Sequence, residues 1–412
     1  MKWTAAITKR QWRALFAAQF GWMLDAMDIM FYAFALVAIQ RDFKLTSAQA
    51  GAVASLTLLA SAFGGIFFGA LADRVGRVRT LVLAILGYSV FTALTATAQT
   101  LAALLLWRCL VGFGMGGEWS AGSVLVSETW PAEHRGKAIG IMQSGWAIGY
   151  IFAALISAVV LPKLGWRVLF LIGILPAFLV AWIQRHVPEP EIWVRNKDER
   201  RAGPGDAPSR SIGVIFKPPL LRKTLTASLL TTCVLFAYWG LFTWMPAFLS
   251  RPVAQGGAGL SVVKSSAWIV PMQIGAFFGY LLFGFLADRF GRRPTFIAFL
   301  VAAAILVPAY GQLARHELWL FVLGPFIGFF GHGYFSVFGA MLAELFPTQV
   351  RATAQGLTYN VGRAFSALAP FLIGALSDVY GIGSALAVTA FFFLAGAVVM
   401  LLLPETKGSA LT

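Results

Sequence analysis

The chain has 412 residues, of which 59% are hydrophobic and only 12% charged. Soluble domains carry roughly 25% charged residues, so this composition excludes one soluble core and turns the apolar surface toward lipid. The net charge of +15 does not signal nucleic acid, because the basic residues are scattered through short gaps between apolar runs.

At the amino end Lys2, Lys9, Arg10 and Arg13 precede an apolar stretch of about 25 residues. That is too long for a signal-peptide core, and an uncleaved first helix is expected. Twelve spans are predicted, at 14–39, 48–72, 80–98, 101–127, 138–162, 167–185, 224–249, 265–287, 295–312, 319–343, 354–377 and 383–403. Most are long enough to cross about 30 Å of hydrocarbon at 1.5 Å per residue. Of the 32 Lys and Arg, 23 fall in one set of alternate segments, seven in the other and two within spans. The positive-inside rule then places both termini in the cytoplasm, for a plasma (inner) membrane protein. Cys109 and Cys233 lie inside apolar runs and read as small packing residues, with no disulfide or metal framework.

Span 1 carries two acids. Gly21, Asp25, Asp28 and Tyr32 recur at helical spacing and share one face. Counted from residue 14, the aspartates lie roughly 16–21 Å in, near mid-membrane. A carboxylate there resists ionising, and a second one a turn away adds to the resistance. Two readings stand: a proton carrier facing a wet cavity, or a static ion pair such as Asp25 with Arg108. Span 4 adds Arg108 and Glu118, separated by Gly112, Gly114, Gly116 and Gly117, which permit close helix approach. Arg108 is either a counter-ion or a substrate contact. Glu118 is either a second proton site or a partner for a hydroxyl or backbone group.

The segment 185–211 is polar and basic and contains Gly203-Pro204-Gly205, as expected of a cytoplasmic linker. The domains expected are therefore 1–185, a linker at 186–221, and 222–412. In the last of these, Arg363 on span 11 presents a planar fork suited to a carboxylate, with Asn360 three residues before it. Arg363 either binds a substrate carboxylate or pairs with a span 1 acid. His332, between two glycines, is either a proton relay or a hydrogen-bonded packing residue. Tyr238, Trp239, Trp244, Tyr334 and Phe335 are candidate cavity walls, though many such aromatics serve packing.

The chain repeats itself. "GALADRVGR" at 69–77 returns as "GFLADRFGR" at 284–292, and "SETWPAEHRGKAIG" at 127–140 returns as "AELFPTQVRATAQG" at 343–356. The shifts are 215 and 216 residues, so two six-span halves run in parallel. The acids are not repeated, since Gly240 and Thr243 stand at the positions matching Asp25 and Asp28.

The doubled 69–77 and 284–292 motif resembles the signature loop of the major facilitator superfamily. "LDAMD" (24–28), "RCLVGFGMGGEW" (108–119) and "YNVGRAFSALAP" (359–370) resemble its proton-coupled organic-anion symporters. The sialate and monocarboxylate branch is most similar and the aromatic-acid branch close. Ala26, where the latter usually has Gly, departs from its pattern. The resemblance implies an all-α membrane protein, with two six-helix bundles facing across a central cavity. Spans 1, 4, 7 and 10 would line the cavity, 2, 5, 8 and 11 would form the moving interface, and the rest would support from outside. It also implies that Asp73, Arg77, Asp288 and Arg292 gate the cytoplasmic side, where ordinary basic loops would leave the recurring Asp unexplained.

The expected function is proton symport of a small organic anion, with no cofactor and no nucleic acid. Proton antiport of drugs is the first rival. A nutrient sensor and a membrane enzyme are weaker, for want of a long signalling segment or a nucleophile or metal motif.

Overall fold

The computed structural model describes residues 7–131, 134–195, 212–218, 220–347 and 350–407. Residues 196–211 and 219 of the expected linker, with the Gly203-Pro204-Gly205 turn, lie outside these residues. The described chain is helical. In order it forms α1 (Lys9–Phe43), α2 (Ser47–Val75), α3 (Arg77–Thr95), α4 (Leu101–Thr129), α5 (Arg135–Ile172) and α6 (Pro176–His186). The second half forms α7 (Leu220–Phe242), α8 (Met245–Ser250), α9 (Val262–Phe290), α10 (Arg292–Gln312), α11 (Glu317–His332), α12 (Phe335–Glu344), α13 (Arg351–Ser366), α14 (Leu368–Tyr380) and α15 (Ile382–Leu401). Helices fall on all twelve expected crossings. Among the described residues, ten stretches are long and apolar enough to span by composition alone. The fifth and sixth crossings count there as one stretch, and the eleventh, more polar, is not among them. Large exposed side chains such as Phe178, Phe285 and Val379 are apolar, as a lipid-facing surface requires.

Local chemistry explains the ends. Thr8 with Gln11, and Thr46 with Gln49, form capping boxes at α1 and α2. Gly76 (φ 129°) and Gly291 (φ 108°) hold the signature turns in a region closed to other residues, so α2 stops before α3 and α9 before α10. Gly165 (φ 77°) breaks α5 between the fifth and sixth crossings.

Three crossings expected as continuous helices are interrupted. Pro246 lacks an N–H and would clash with the carbonyl four residues back, at Phe242, where α7 ends. Pro370 has the same relation to Ser366, where α13 ends. The break between α11 and α12 falls beside Gly333. The opened Phe242 carbonyl accepts a hydrogen bond from the Tyr150 hydroxyl at 3.0 Å, from the other half of the chain.

The repeat extends into the packing. A Cβ at Gly112 would lie 2.0 Å from the Thr57 carbonyl oxygen, and one at Gly328 would lie 1.7 Å from that of Met272. Gly64 against Phe113, at 2.0 Å, recurs as Gly279 against Phe329, at 2.5 Å. The α2/α4 and α9/α11 crossings are therefore the same close contact built twice, with glycine wherever a backbone arrives.

Candidate functional site

Asp25, Asp28 and Glu118 are fully buried in the middle of the bundle, and none of their carboxylate oxygens has a hydrogen-bond partner. Glu118 presses onto α1: its Oε1 lies 2.6 Å from where a Cβ at Gly21 would sit. Tyr88 of α3 reaches the Gly21 carbonyl at 3.5 Å.

Arg108 is also buried, with Nε and Nη1 unpartnered. Its guanidinium lies 5.1 Å from the Tyr32 ring centre and 5.8 Å from that of Phe170. Tyr32 meanwhile donates its hydroxyl to the Ala50 carbonyl at 2.8 Å. Arg363 enters from α13 and is 5% exposed. Like Arg108, it lies within electrostatic range of Asp25. Among the described residues the ion pairs all lie elsewhere, so neither arginine is locked to an acid. Tyr32, Thr57, Arg108, Trp239 and Thr243 border a central cavity of about 10 Å³, roughly the room one water needs.

The other candidates are placed differently. Asn360 does not join Arg363: its amide donates to the Gly356 carbonyl at 2.9 Å, and its Oδ1 lies 3.0 Å from a Cβ position at Gly65. A three-residue step leaves side chains about 60° apart around a helix, enough to turn Asn360 into the α2/α13 seam. His332 is enclosed by Tyr238, Phe242 and Tyr280. Its Nδ1 meets the Gly328 carbonyl at 3.1 Å, and its Nε2 lies 3.4 Å from the Tyr238 hydroxyl. That hydroxyl accepts from Trp146 Nε1 at 2.5 Å, linking the halves. The Tyr334 ring packs on Phe296 and Phe335, and its hydroxyl is buried without a partner. Trp244 turns away to donate to the Pro370 carbonyl at 2.9 Å.

One end of the bundle carries the two signature loops. Arg77 pairs with Asp73 at 2.9 Å and holds Glu128 through two hydrogen bonds, at 2.9 and 2.7 Å. Arg292 pairs with Asp288 at 3.0 Å and Glu344 at 3.3 Å. Each cluster is completed by an acid that sequence reasoning passed over. Glu189, after α6, accepts from the backbone amides of Arg77, Val78 and Arg79. Glu405, after α15, accepts from those of Arg292 and Arg293. The signal was available: Pro188-Glu189 and Pro404-Glu405 are 216 residues apart, the repeat shift. The start of the expected linker is thus strapped to the bundle. Arg10 also pairs with Glu191, and Trp193 donates to the Asp73 carbonyl at 3.1 Å.

At the far end the halves are joined directly. Arg251 donates to Gln40 at 2.8 Å and Ser47 at 2.9 Å, and Asp378 accepts from the amides of Ser47 and Ala48. A further contact missed from sequence is a face-to-face stack of Trp119 on Tyr359, with ring centres 4.4 Å apart and planes 11° from parallel.

The chain matches the Major Facilitator Superfamily over residues 18–272 and 258–411. It is 36% identical to a probable 4-methylmuconolactone transporter of Cupriavidus pinatubonensis, over 99% of this chain and 94% of that one. It is 32% identical to the cis,cis-muconate transport protein of Acinetobacter baylyi, over 97% and 96%. A crystal structure of a D-xylose-proton symporter superposes with a TM-score of 0.76 at 17% identity, over 98% of this chain and all of that one; this likeness concerns the fold.

Proposed function

Because the chain belongs to the Major Facilitator Superfamily, we propose that this multi-pass membrane transporter carries a small organic anion together with protons by alternating access. Transport, not enzymatic catalysis, is its activity. The domains are those read from sequence, 1–185 and 222–412 about the linker 186–221. The charged end with both termini faces the cytoplasm of a cell with an inner membrane. Asp25, Asp28 and Glu118 handle the proton, while Arg363 takes the substrate carboxylate with Arg108 and Tyr32 beside it. Asp73, Arg77, Asp288 and Arg292 bias the cytoplasmic gate. His332 and Tyr334 shape the second half's wall, and Asn360 the seam.

One observation carries this reading: three buried acids and two buried arginines share the centre without ion pairing to one another. Such charges are costly in a membrane interior unless a ligand or a proton completes them. The relatives' names, muconate and methylmuconolactone, make small unsaturated acids the favoured class among organic anions. Antiport of lipophilic cations, the rival, leaves Arg363 without a purpose.

The test is binding by the purified protein to lactate, pyruvate, benzoate, cis,cis-muconate and sialic acid, each beside its amide. At least one acid should bind and its amide should not, because the amide leaves a buried guanidinium unpaired. Arg363→Lys should abolish the distinction, since a point charge lacks the two-pronged fork. Equal binding of acid and amide by the native protein overturns the reading.

A further inference from the structure

We infer that Trp119 and Tyr359 form an aromatic slot that selects flat, conjugated carboxylates over puckered, saturated ones. The inference rests on the anion-transport reading and adds the residues that set its specificity.

The two rings come from different halves, Trp119 from α4 and Tyr359 from α13. Five ring pairs stack face to face among the described residues, and this is the one that joins the halves. Its position is tied to the charged centre through α13. Trp119 follows Glu118, about 100° further round α4, and Tyr359 lies one turn before Arg363 on the same face of α13. Both slot residues are partly exposed, whereas Glu118 and Arg363 are buried. The stack therefore borders the charged site on the side nearer the signature loops.

The rings stack on each other, and a flat ligand between them replaces that contact with two of the same kind. Because each ring rides on its own half, the rocking that opens the cavity also opens the slot. A flat acid entering between them gains two ring faces in place of one. Its carboxylate then points along α13 toward Arg363, one turn or about 6 Å away. A saturated ring of the same carbon number is thicker and has no π face, so it keeps the carboxylate contact and loses the stacking. Nothing covalent changes; the slot acts through affinity alone.

The experiment measures equilibrium binding of two matched pairs to the full-length protein in detergent: benzoate with cyclohexanecarboxylate, and cis,cis-muconate with adipate. The native protein should favour the flat member by about tenfold, the scale of one aromatic contact. Trp119→Leu and Tyr359→Leu should bring the pairs within about twofold of each other, still rejecting the amides. Trp119→Phe and Tyr359→Phe keep a ring and should keep the preference, and they also stand in if the Leu variants fail to fold. Equal affinity for flat and saturated acids in the native protein overturns the slot while leaving the Arg363 reading in place. So does a preference that survives both Leu variants. Failure to tell any acid from its amide overturns the anion reading, and the slot with it.

Discussion

Asp378 caps the amino terminus of a helix that begins 331 residues earlier: its Oδ1 accepts the backbone N–H of Ser47 at 3.1 Å. Its Oδ2 takes the next amide, that of Ala48, at 3.0 Å. A carboxylate at a helix start meets unpaired amides and the positive end of the helix dipole. The same Ser47 receives Arg251 through its hydroxyl. One residue thus collects both ends of the second half's charge at the far end of the bundle.

Replacing Asp378 with Asn should loosen this closure. The amide keeps the shape and loses the charge, a change of about 1 kcal/mol, or roughly fivefold in the balance of states. A cysteine at Ala54, which borders the central cavity, reports the change when Cys109 and Cys233 are Ser. Its reaction with a membrane-impermeant thiol reagent added from the far side should quicken. An unchanged rate would show that the cap does not hold that end shut.

Asp25→Asn, Asp28→Asn and Glu118→Gln remove a titrating group and keep its shape. At the residue that carries the coupled proton, substrate accumulation against a gradient should fall to equality, while exchange at equal pH persists. The check is uptake into proteoliposomes with and without an imposed pH difference. If all three variants still accumulate substrate uphill, proton handling does not reside in these acids.

Gly112→Ala should destabilise the protein, because its Cβ would meet the Thr57 carbonyl at 2.0 Å. Gly328→Ala should do the same in the second half, where the clash is with Met272. Overpacking of this kind costs about 1–3 kcal/mol. Gly87→Ala, with nothing within 4 Å of the new atom, should leave the melting temperature unchanged. Equal melting of all three variants would contradict the repeated close crossing.

The Glu405 strap carries a pH dependence. Burial pushes its carboxyl up, but the amides of Lys407, Arg292, Arg293 and Thr406 outweigh this and hold it below the usual value. A carboxyl lowered on folding adds stability above its unfolded value of about 4.3 and loses it as the pH falls toward the folded value. Hydrogen exchange at the Arg292 and Arg293 amides should therefore quicken as the pH falls below about 4, relative to amides within α10. Glu405→Gln should show the same relative loss of protection at neutral pH. A strap indifferent to both changes would not depend on charge.

The crossings were legible in the sequence because hydrocarbon demands long apolar runs, and such runs are a local property. The face bearing Asp25 and Asp28 followed from helical spacing alone, and the parallel halves from two matches at almost the same shift. The glycines between Arg108 and Glu118 announced a close crossing without naming the partner. What tertiary structure decided are relations between residues far apart in the chain. The breaks at Phe242 and Ser366 stem from visible prolines, but only packing gave the freed Phe242 carbonyl to Tyr150. Asn360 and Arg363 look like partners in sequence, yet a 60° offset, about a sixth of a turn, sends one into a seam and the other toward Asp25. Trp119 and Tyr359 carry no pattern that joins them, nor do Asp378 and Ser47. Spacing along a helix determines which side chains share a face; the docking of one half on the other determines what that face meets.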